Sequence, residues 1–313
     1  MVRVLFLGGM GRSGTTLLER LLGELPGACP LGEVVHLWDR DVRGNDRCAC
    51  GERFSGCAFW QRVGARAFGG WHRVDLADIA GLRSTVERTR HIPGLAGRRS
   101  APRAALVRRY ADYYARLYRA AAEISGASVV IDSSKHPALA FCLRSADIDL
   151  RVAHVIRDSR GVAYSWTKRT ARPETDGQRE MTRYRPGRCA MLWNTNNVAL
   201  GLLARSGVAV RRVRYEDLLA DPATTLAALA DFAGLAGADL SFLSTGIDGT
   251  PVADLARCHS AAGNPMRFAV GTVALRVDDA WRTALPPAQR RLVGALTMPL
   301  LGAYGYRLGR EIS

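Results

Sequence analysis

The residues best suited to bind an anion lie near the N terminus. An apolar, β-branched run, Val2–Leu7, predicts a buried strand, and glycines at positions 8 and 9 end it. The sequence GRSGTT at 11–16 then opens a helix with apolar periodicity, predicted over Thr15–Leu25. A strand, a glycine-rich turn and a helix N-terminus direct unpaired N–H groups and partial positive charge at one point. The segment therefore predicts a phosphate-binding loop.

One position indicates which kind of phosphate this loop binds. Nucleoside triphosphatases carry a lysine directly after the second glycine of G-x-x-x-x-G-K-[ST], where it reaches the β- and γ-phosphates. Gly9 and Gly14 have this spacing, but Thr15 stands in place of the lysine, and the nearest cation is Arg12. A loop without that lysine is poorly suited to a magnesium-bound triphosphate. It suits a ligand that ends in one phosphate and one further tetrahedral anion.

Two later strand ends carry further cations. Lys135 follows a predicted strand at 129–131, at the edge where open α/β sheets bind ligands. It is one of only two lysines in the chain, and a compact ammonium suits the charge that develops on oxygens during group transfer. Arg157 follows the next predicted strand, at 152–156, and Ser165 lies two helical turns further on. An arginine fork and a hydroxyl suit a second phosphate, so the two strand ends describe a bisphosphorylated nucleotide.

These motifs resemble those of sulfotransferases that use 3′-phosphoadenosine 5′-phosphosulfate (PAPS). The likeness is nearest to bacterial small-molecule sulfotransferases and to tyrosylprotein sulfotransferases, and it runs from Val2 to about Tyr215 with a gap at 43–100. It implies in-line transfer of a sulfuryl group to an acceptor hydroxyl, release of adenosine 3′,5′-bisphosphate, and no need for a metal. A small-molecule acceptor is expected, because no acidic or extended groove signals a protein substrate.

The resemblance also implies which residues hold the donor. Arg12, Ser13, Gly14, Thr15 and Thr16 match the 5′-phosphosulfate loop, and Arg157 and Ser165 match the 3′-phosphate motif. Arg169, four residues after Ser165, is expected on the same helical face, where tyrosylprotein sulfotransferases also carry an arginine. Tyr215 matches a tyrosine that flanks the nucleotide, and Arg267 is carried over from a C-terminal phosphate-and-purine loop that otherwise matches poorly.

The catalytic roles implied by the resemblance leave the base open. Lys135 matches a lysine that contacts the sulfonate and the leaving oxygen, and Arg12 is counted with the catalytic residues as well. A base must take the proton of the acceptor hydroxyl, and Glu33 or His36, three residues apart on one helical face, could serve. A Gly-Glu pair in tyrosylprotein sulfotransferases favours Glu33. His136 is a rival, because cytosolic sulfotransferases carry a catalytic histidine near such a lysine.

Two other function classes were weighed. A magnesium-dependent P-loop kinase is the alternative, with Asp132 as the residue that would hold the metal, but the missing loop lysine argues against it. A nucleic-acid binder rests on the net charge of +15 alone. The cations are spread along the chain and all but two are arginine, so an acidic ligand is a sufficient partner and no nucleic acid is expected.

A cysteine cluster lies in the stretch 43–100. Cys48, Cys50 and Cys57 are close in sequence, and His72 is a candidate fourth metal ligand. C-x-C-x6-C is not a recognised zinc spacing, and cysteines of cytoplasmic proteins are usually reduced and structural, so no metal is predicted. The stretch is rich in glycine and arginine and has weak periodicity. It is interpreted as an insertion that covers the acceptor pocket.

The composition and the order of elements predict the fold class. A chain of 313 residues with 48% hydrophobic residues can bury a sizeable core. No apolar run approaches the length of a membrane-spanning helix, so a soluble, cytoplasmic protein is expected. We predict one α/β domain over 1–313, a P-loop-like three-layer sandwich with a central parallel sheet of four or five strands and an inserted lid at about 43–100. A helix with a buried aromatic stripe is predicted over Ala101–Ser125.

Overall fold

A five-stranded parallel sheet forms the centre of the molecule in the computed structural model, which describes residues 1–97, 99–175, 180–235 and 237–307. The order of the strands is β2-β3-β1-β4-β5. They are β1 Arg3–Gly8, β2 Ala28–Pro30, β3 Val129–Lys135, β4 Asp149–Ile156 and β5 Ala209–Arg214. All neighbours pair in parallel, which confirms the predicted α/β class and the central sheet.

The central strand β1 contributes to the cores on both faces of the sheet. Val4 and Phe6 point into one apolar core, whereas Leu5 and Leu7 point into the other, as the period of two along a strand requires. All four side chains are fully buried, and each contributes about 1.5–3 kcal/mol through burial. A strand with two buried faces has a continuous apolar sequence, which is why Val2–Leu7 could be predicted as a buried strand.

Helices cover both faces of the sheet. Their bounds are α1 Thr15–Gly23, α2 Ala58–Phe68, α3 Leu76–Val86, α4 Ile92–Ala96, α5 Ala101–Ser125, α6 Pro137–Leu143, α7 Ser159–Thr167, α8 Pro186–Ala204, α9 Tyr215–Ala220, α10 Pro222–Ala233, α11 Trp281–Ala284 and α12 Pro287–Ala303. Helix α5 has its predicted bounds and buries Tyr110, Tyr114 and Tyr118. In the described part of the chain, no helix combines the length and apolar character needed to cross a membrane.

The stretch 43–100 is more regular than its weak periodicity predicts. It contains α2, α3 and α4, whose apolar side chains pack into the same core as one face of the sheet. Trp60 of α2 and Val86 of α3 are fully buried there. The signal is weak because each helix buries only a few residues between arginines and glycines, such as Ile79, Leu82 and Val86 in α3.

A small antiparallel sheet completes the fold and was not predicted. Its strands are β6 Leu243–Thr245, β7 Pro251–Leu255 and β8 Gly271–Ala274, in the order β6-β7-β8. Between β7 and β8 the chain runs back to the central sheet, where Gly32 and Ala261 form an isolated parallel bridge. This return brings residues 259–264 beside the carboxyl ends of the central strands.

Candidate functional site

A cavity of about 740 Å³ opens at the carboxyl ends of the central strands. Segments that are distant in sequence form its wall, because parallel strands bring the loops that follow them to one edge. The predicted site residues on this wall are Arg12, Gly14, Thr15, Thr16, Glu33, His36, Lys135, His136, Arg157, Ser165 and Tyr215. The inserted stretch contributes too, through Arg83, Glu87, Arg88 and Thr89.

The loop between β1 and α1 has the backbone of an anion cradle. Gly14 has φ +90°, and a Cβ atom there would lie 2.4 Å from Cδ2 of Tyr215. Arg12 has φ +75°, a left-handed conformation that is uncommon outside glycine. A Cβ at Gly9 would lie 2.5 Å from the carbonyl oxygen of Val155. Successive left-handed and right-handed residues turn their N–H groups to one side, which makes a concavity for an anion.

Two buried polar atoms of this loop fit a bound anion. Ser13 is 1% exposed, and its Oγ has no hydrogen-bond partner within the described chain; the same holds for Nε of Arg12. Buried polar atoms are nearly always paired in native proteins, so these two donors are free to pair with a bound anion or with water. Burial lowers the pKa of Arg12, while the negative charge of Glu33 opposes that effect. The guanidinium stays charged at neutral pH and lies 5.4 Å from the ring centre of Trp166.

Arg157 forms a second cationic position at the end of β4. Its side chain is almost fully buried, and its guanidinium lies 4.4 Å from the ring centre of Tyr215. It donates to the backbone oxygen of Arg12 at 3.2 Å, which joins the two strand ends. It also donates to the backbone oxygen of Asp278 and pairs with the carboxylate of that residue at 3.3 Å. Ser165 lines the same cavity and belongs to α7, the helix that follows Arg157 in the chain.

Lys135 and Glu33 form an ion pair in the cavity wall. The ammonium of Lys135 contacts Oε1 of Glu33 and donates to the backbone oxygen of Ser133 at 3.2 Å. Lys135 has φ +70° at the end of β3, a conformation that fixes the direction of its side chain. Burial raises the pKa of Glu33, but the charge and the hydrogen bond of Lys135, with smaller contributions from His36 and Arg40, outweigh this rise and lower the pKa to about 2. Glu33 is therefore a carboxylate at neutral pH.

Two histidines adjoin this pair. His36 Nε2 lies 3.7 Å from Oε2 of Glu33, and burial together with the charge of Arg40 lowers the pKa of His36 well below 6.5. His36 is thus a neutral imidazole near neutral pH. His136 Nδ1 lies 3.0 Å from Oε1 of Glu87, and the two histidine rings meet edge to face at 5.8 Å. The predicted helical face of Glu33 and His36 is in fact a single 3₁₀ turn, Val34–His36.

A buried glutamate that sequence analysis missed holds this wall together. Glu19 of α1 is 1% exposed, and Oε1 accepts from the backbone N–H of Gly32 at 2.7 Å and from Oγ of Ser260 at 2.7 Å. Oε2 accepts from Oγ of Ser133 at 2.6 Å. Burial raises the pKa of Glu19, and the hydrogen bonds from Ser133 and Ser260 oppose this rise. In sequence, Glu19 is indistinguishable from a solvent-facing residue of an amphipathic helix.

Asp132 has a structural environment that does not suit the metal role weighed for it. It is fully buried, and its two oxygens accept from the hydroxyl of Tyr118 at 2.5 Å and from the backbone N–H of Ser134 at 2.7 Å. Burial raises its pKa to about 6. Asp132 does not contribute to the cavity wall formed by the described residues. A kinase would need this carboxylate to face the phosphates.

Three predicted cofactor residues are absent from the wall of the described cavity, namely the buried Ser13, Arg169 and Arg267. Helix α7 ends at Thr167, so the prediction that Arg169 shares a helical face with Ser165 is wrong; Arg169 is exposed and is absent from the wall of the described cavity. Arg267 is 1% exposed and donates to the backbone oxygens of Ser260 at 3.0 Å and Arg47 at 2.9 Å. These bonds hold the 259–264 segment against the inserted stretch, and the Arg267 side chain itself does not line the cavity formed by the described residues.

Comparisons with known proteins agree with this geometry. The model of a family described as the sulfotransferase family matches residues 5–239. The sulfotransferase domain from the Synechococcus PCC 7002 olefin synthase shares the fold, with a TM-score of 0.53 and 20% identity over 98% of this chain and 95% of that one. The sulfotransferase domain from the curacin biosynthetic pathway is similar, with a TM-score of 0.52 and 15% identity over 99% of both chains. No curated protein matches the chain significantly.

The two structural likenesses establish the fold, and the family match extends over most of the chain, from β1 past α10. Membership of this family indicates a transferase. The chain belongs to the sulfotransferase family.

Proposed function

We propose that the protein transfers a sulfuryl group from PAPS to a hydroxyl of a small-molecule acceptor. This proposal rests on two positively charged positions for binding anions, which we call seats. Arg12 and Arg157 form them, and both line the same cavity as the Lys135–Glu33 pair. Both similar structures are sulfotransferase domains of biosynthetic systems, which supports a small-molecule acceptor.

The two seats suit the two ends of the donor. The loop at 11–16 would hold the 5′-phosphosulfate, through the unpaired Ser13 hydroxyl, the Arg12 guanidinium and the N–H groups at the start of α1. Arg157 and Ser165 would hold the 3′-phosphate, because an arginine fork matches phosphate geometry. Tyr215 lies between the seats, against both Gly14 and Arg157, and offers a ring face to the nucleotide.

The donor supplies the sulfuryl group, and the chain supplies charge and proton transfer. Lys135 and Arg12 place positive charge where the oxygens of a transferring sulfuryl group need it. Glu33 is ionised and would take the proton of the acceptor hydroxyl at a carboxylate oxygen. Its low pKa depends on Lys135, so any contact that draws the ammonium onto another oxygen makes Glu33 a stronger base.

Transfer and nucleotide binding can be tested together. The protein is incubated with PAPS labelled in the sulfuryl group and a small-molecule extract, and mass spectrometry identifies acceptors that gain one sulfonate. Glu33→Gln should lower the rate by about 10²–10⁴-fold, the contribution of a general base, while binding of adenosine 3′,5′-bisphosphate stays unchanged.

A nucleotide comparison separates this proposal from a kinase. Tight binding of adenosine 3′,5′-bisphosphate without magnesium is expected, together with weak binding of ATP whether or not magnesium is present. Tight binding of magnesium-ATP and no binding of the bisphosphate would refute sulfuryl transfer and favour phosphoryl transfer.

A further inference from the structure

Four potential metal ligands converge outside the cavity, where the inserted stretch meets the 259–264 segment. They are Cys48, Cys50, Cys57 and His259, and their ligand atoms all lie within 4.8 Å of one another. Sγ of Cys57 lies 3.7 Å from Sγ of Cys50 and 3.2 Å from Nδ1 of His259. Sγ of Cys48 lies 3.9 Å from the same Nδ1. The three thiols and the imidazole thus surround one small volume.

These separations match the edges of a zinc tetrahedron. Zn–S bonds of about 2.3 Å and Zn–N bonds of about 2.0–2.1 Å imply S···S edges of about 3.8 Å and S···N edges of about 3.5 Å. The Cys50–Cys57 separation of 3.7 Å is close to the first value, and the two S···N separations, 3.2 and 3.9 Å, lie on either side of the second. A disulfide would instead need its two sulfurs at about 2.05 Å, and all seven cysteines of the chain are free thiols.

The surroundings of the cluster favour bound thiolates. Cys48 and Cys57 are nearly fully buried, at 0% and 1% exposure. Gly51, with φ +97°, closes the tight turn that brings Cys48 and Cys50 to one side. Cys57 precedes the first residue of α2, where the helix dipole stabilises negative charge.

We propose that Cys48, Cys50, Cys57 and His259 bind one zinc ion in a closed tetrahedral Cys₃His site. Soft thiolates in a tetrahedral arrangement select zinc over harder divalent ions. Four protein ligands leave no open position, so the ion is structural and takes no part in the transfer reaction. The sequence-based prediction of no metal weighed only His72 as the fourth ligand. His72 is exposed, and the histidine at the cluster comes from 202 residues beyond Cys57.

The proposed ion would link the stretch 43–100 to the 259–264 segment, which contacts Glu33 in the cavity wall. Next to the cluster, Trp60 Nε1 donates to the backbone oxygen of His259 at 2.8 Å. The backbone N–H of Ala49 donates to the backbone oxygen of Ser260 at 3.2 Å. Two residues after His259, the backbone oxygen of Ala261 accepts from the backbone N–H of Glu33 at 3.3 Å. Loss of the ion should therefore loosen the segment that carries Glu33.

Metal analysis of the full chain tests this site. The protein is expressed with added zinc, purified without a metal-affinity step, and analysed by inductively coupled plasma mass spectrometry. About one zinc per chain is expected in the wild type, and less than about a tenth in His259→Ala and Cys57→Ser, because a tetrahedral site needs all four ligands. His72→Ala and Cys189→Ser, matched changes outside the cluster, should keep the full content.

Two further measurements keep the proposal testable if a variant fails to fold. His259→Cys should retain zinc, since a Cys₄ set also binds it. Cobalt reconstitution of the wild type should give thiolate charge-transfer bands and tetrahedral d–d bands. Wild-type protein with iron in place of zinc, with no metal, or with a Cys50–Cys57 disulfide after anaerobic purification would overturn the assignment, as would full zinc content in His259→Ala.

Discussion

Replacing Lys135 with methionine removes the charge that keeps Glu33 ionised in the cavity wall. Lys135, His36 and Arg40 together lower the pKa of Glu33 from 4.5 to about 2 against the opposing effect of burial. At about 1.36 kcal/mol per pKa unit, this shift corresponds to roughly 3 kcal/mol of stabilisation. Lys135 supplies the largest of the three charge contributions. We therefore expect Lys135→Met to lower the free energy of unfolding at pH 7 by about 2–3 kcal/mol, near the lower bound for breaking a buried pair.

The pH dependence of this loss distinguishes the ion pair from simple packing. A carboxylate whose pKa is depressed by folding stabilises the folded state fully above its unfolded pKa of about 4.3. This stabilisation is lost as the pH falls through that value toward 2. The difference between wild type and Lys135→Met should thus be constant above about pH 5 and smaller at pH 3. Urea unfolding at pH 7 and pH 3 measures it.

The other lysine of the chain provides the matched control. Lys168 pairs with Asp278 at 3.3 Å, but its side chain is 40% exposed, so Lys168→Met should cost less than about 1 kcal/mol at pH 7. Equal losses in the two variants, or a Lys135→Met loss that is the same at pH 3 as at pH 7, would refute this account of Glu33. Activity gives an independent readout, and Lys135→Met should lower kcat by about 10²–10³-fold.

Two further substitutions test the positions that hold the site in shape. Gly14→Ala would place a Cβ atom 2.4 Å from the Tyr215 ring, at a residue with φ +90°. Calorimetry should therefore show that the affinity for the bisphosphate falls at least about tenfold, whereas the control Gly81→Ala in α3, which has open space around it, should leave the affinity unchanged. Glu19→Ala leaves three buried donors without their acceptor, so the free energy of unfolding, measured by urea titration, should fall by about 3–5 kcal/mol. A loss below about 1 kcal/mol would mean that this carboxylate does not organise the cavity wall.

The strand β1, the glycine-rich loop after it and the start of α1 could be predicted because their signals are local. A buried parallel strand appears in the sequence as an apolar run. The glycines that follow it indicate a tight turn, because glycine adopts backbone conformations that other residues avoid. Helix α5 could be predicted to the residue because three tyrosines recur on one face and Gly126, with φ +69°, ends it. In each of these elements, residues within a few turns determine the outcome.

The misses concern residues whose role depends on distant partners. Glu19 is buried only because Gly32, Ser133 and Ser260 converge on its carboxylate. His259 reaches the cysteines through the return of the chain after β7, and no spacing in the sequence connects them. The Arg169 prediction was wrong for a local reason, since α7 ends two residues earlier than the periodicity required.

Arg12 and Arg157 are proposed to hold opposite ends of one adenine nucleotide. Calorimetric titration with adenosine 3′,5′-bisphosphate in the absence of magnesium is the decisive measurement of this arrangement. Arg12→Ala and Arg157→Ala should each weaken binding by about 10–100-fold, the equivalent of about 1.5–3 kcal/mol for a hydrogen bond to a charged group. Arg169→Ala, a matched change outside the described cavity, should leave affinity unchanged. Wild-type affinity in both Arg12→Ala and Arg157→Ala would contradict the two-seat geometry and the proposed function with it.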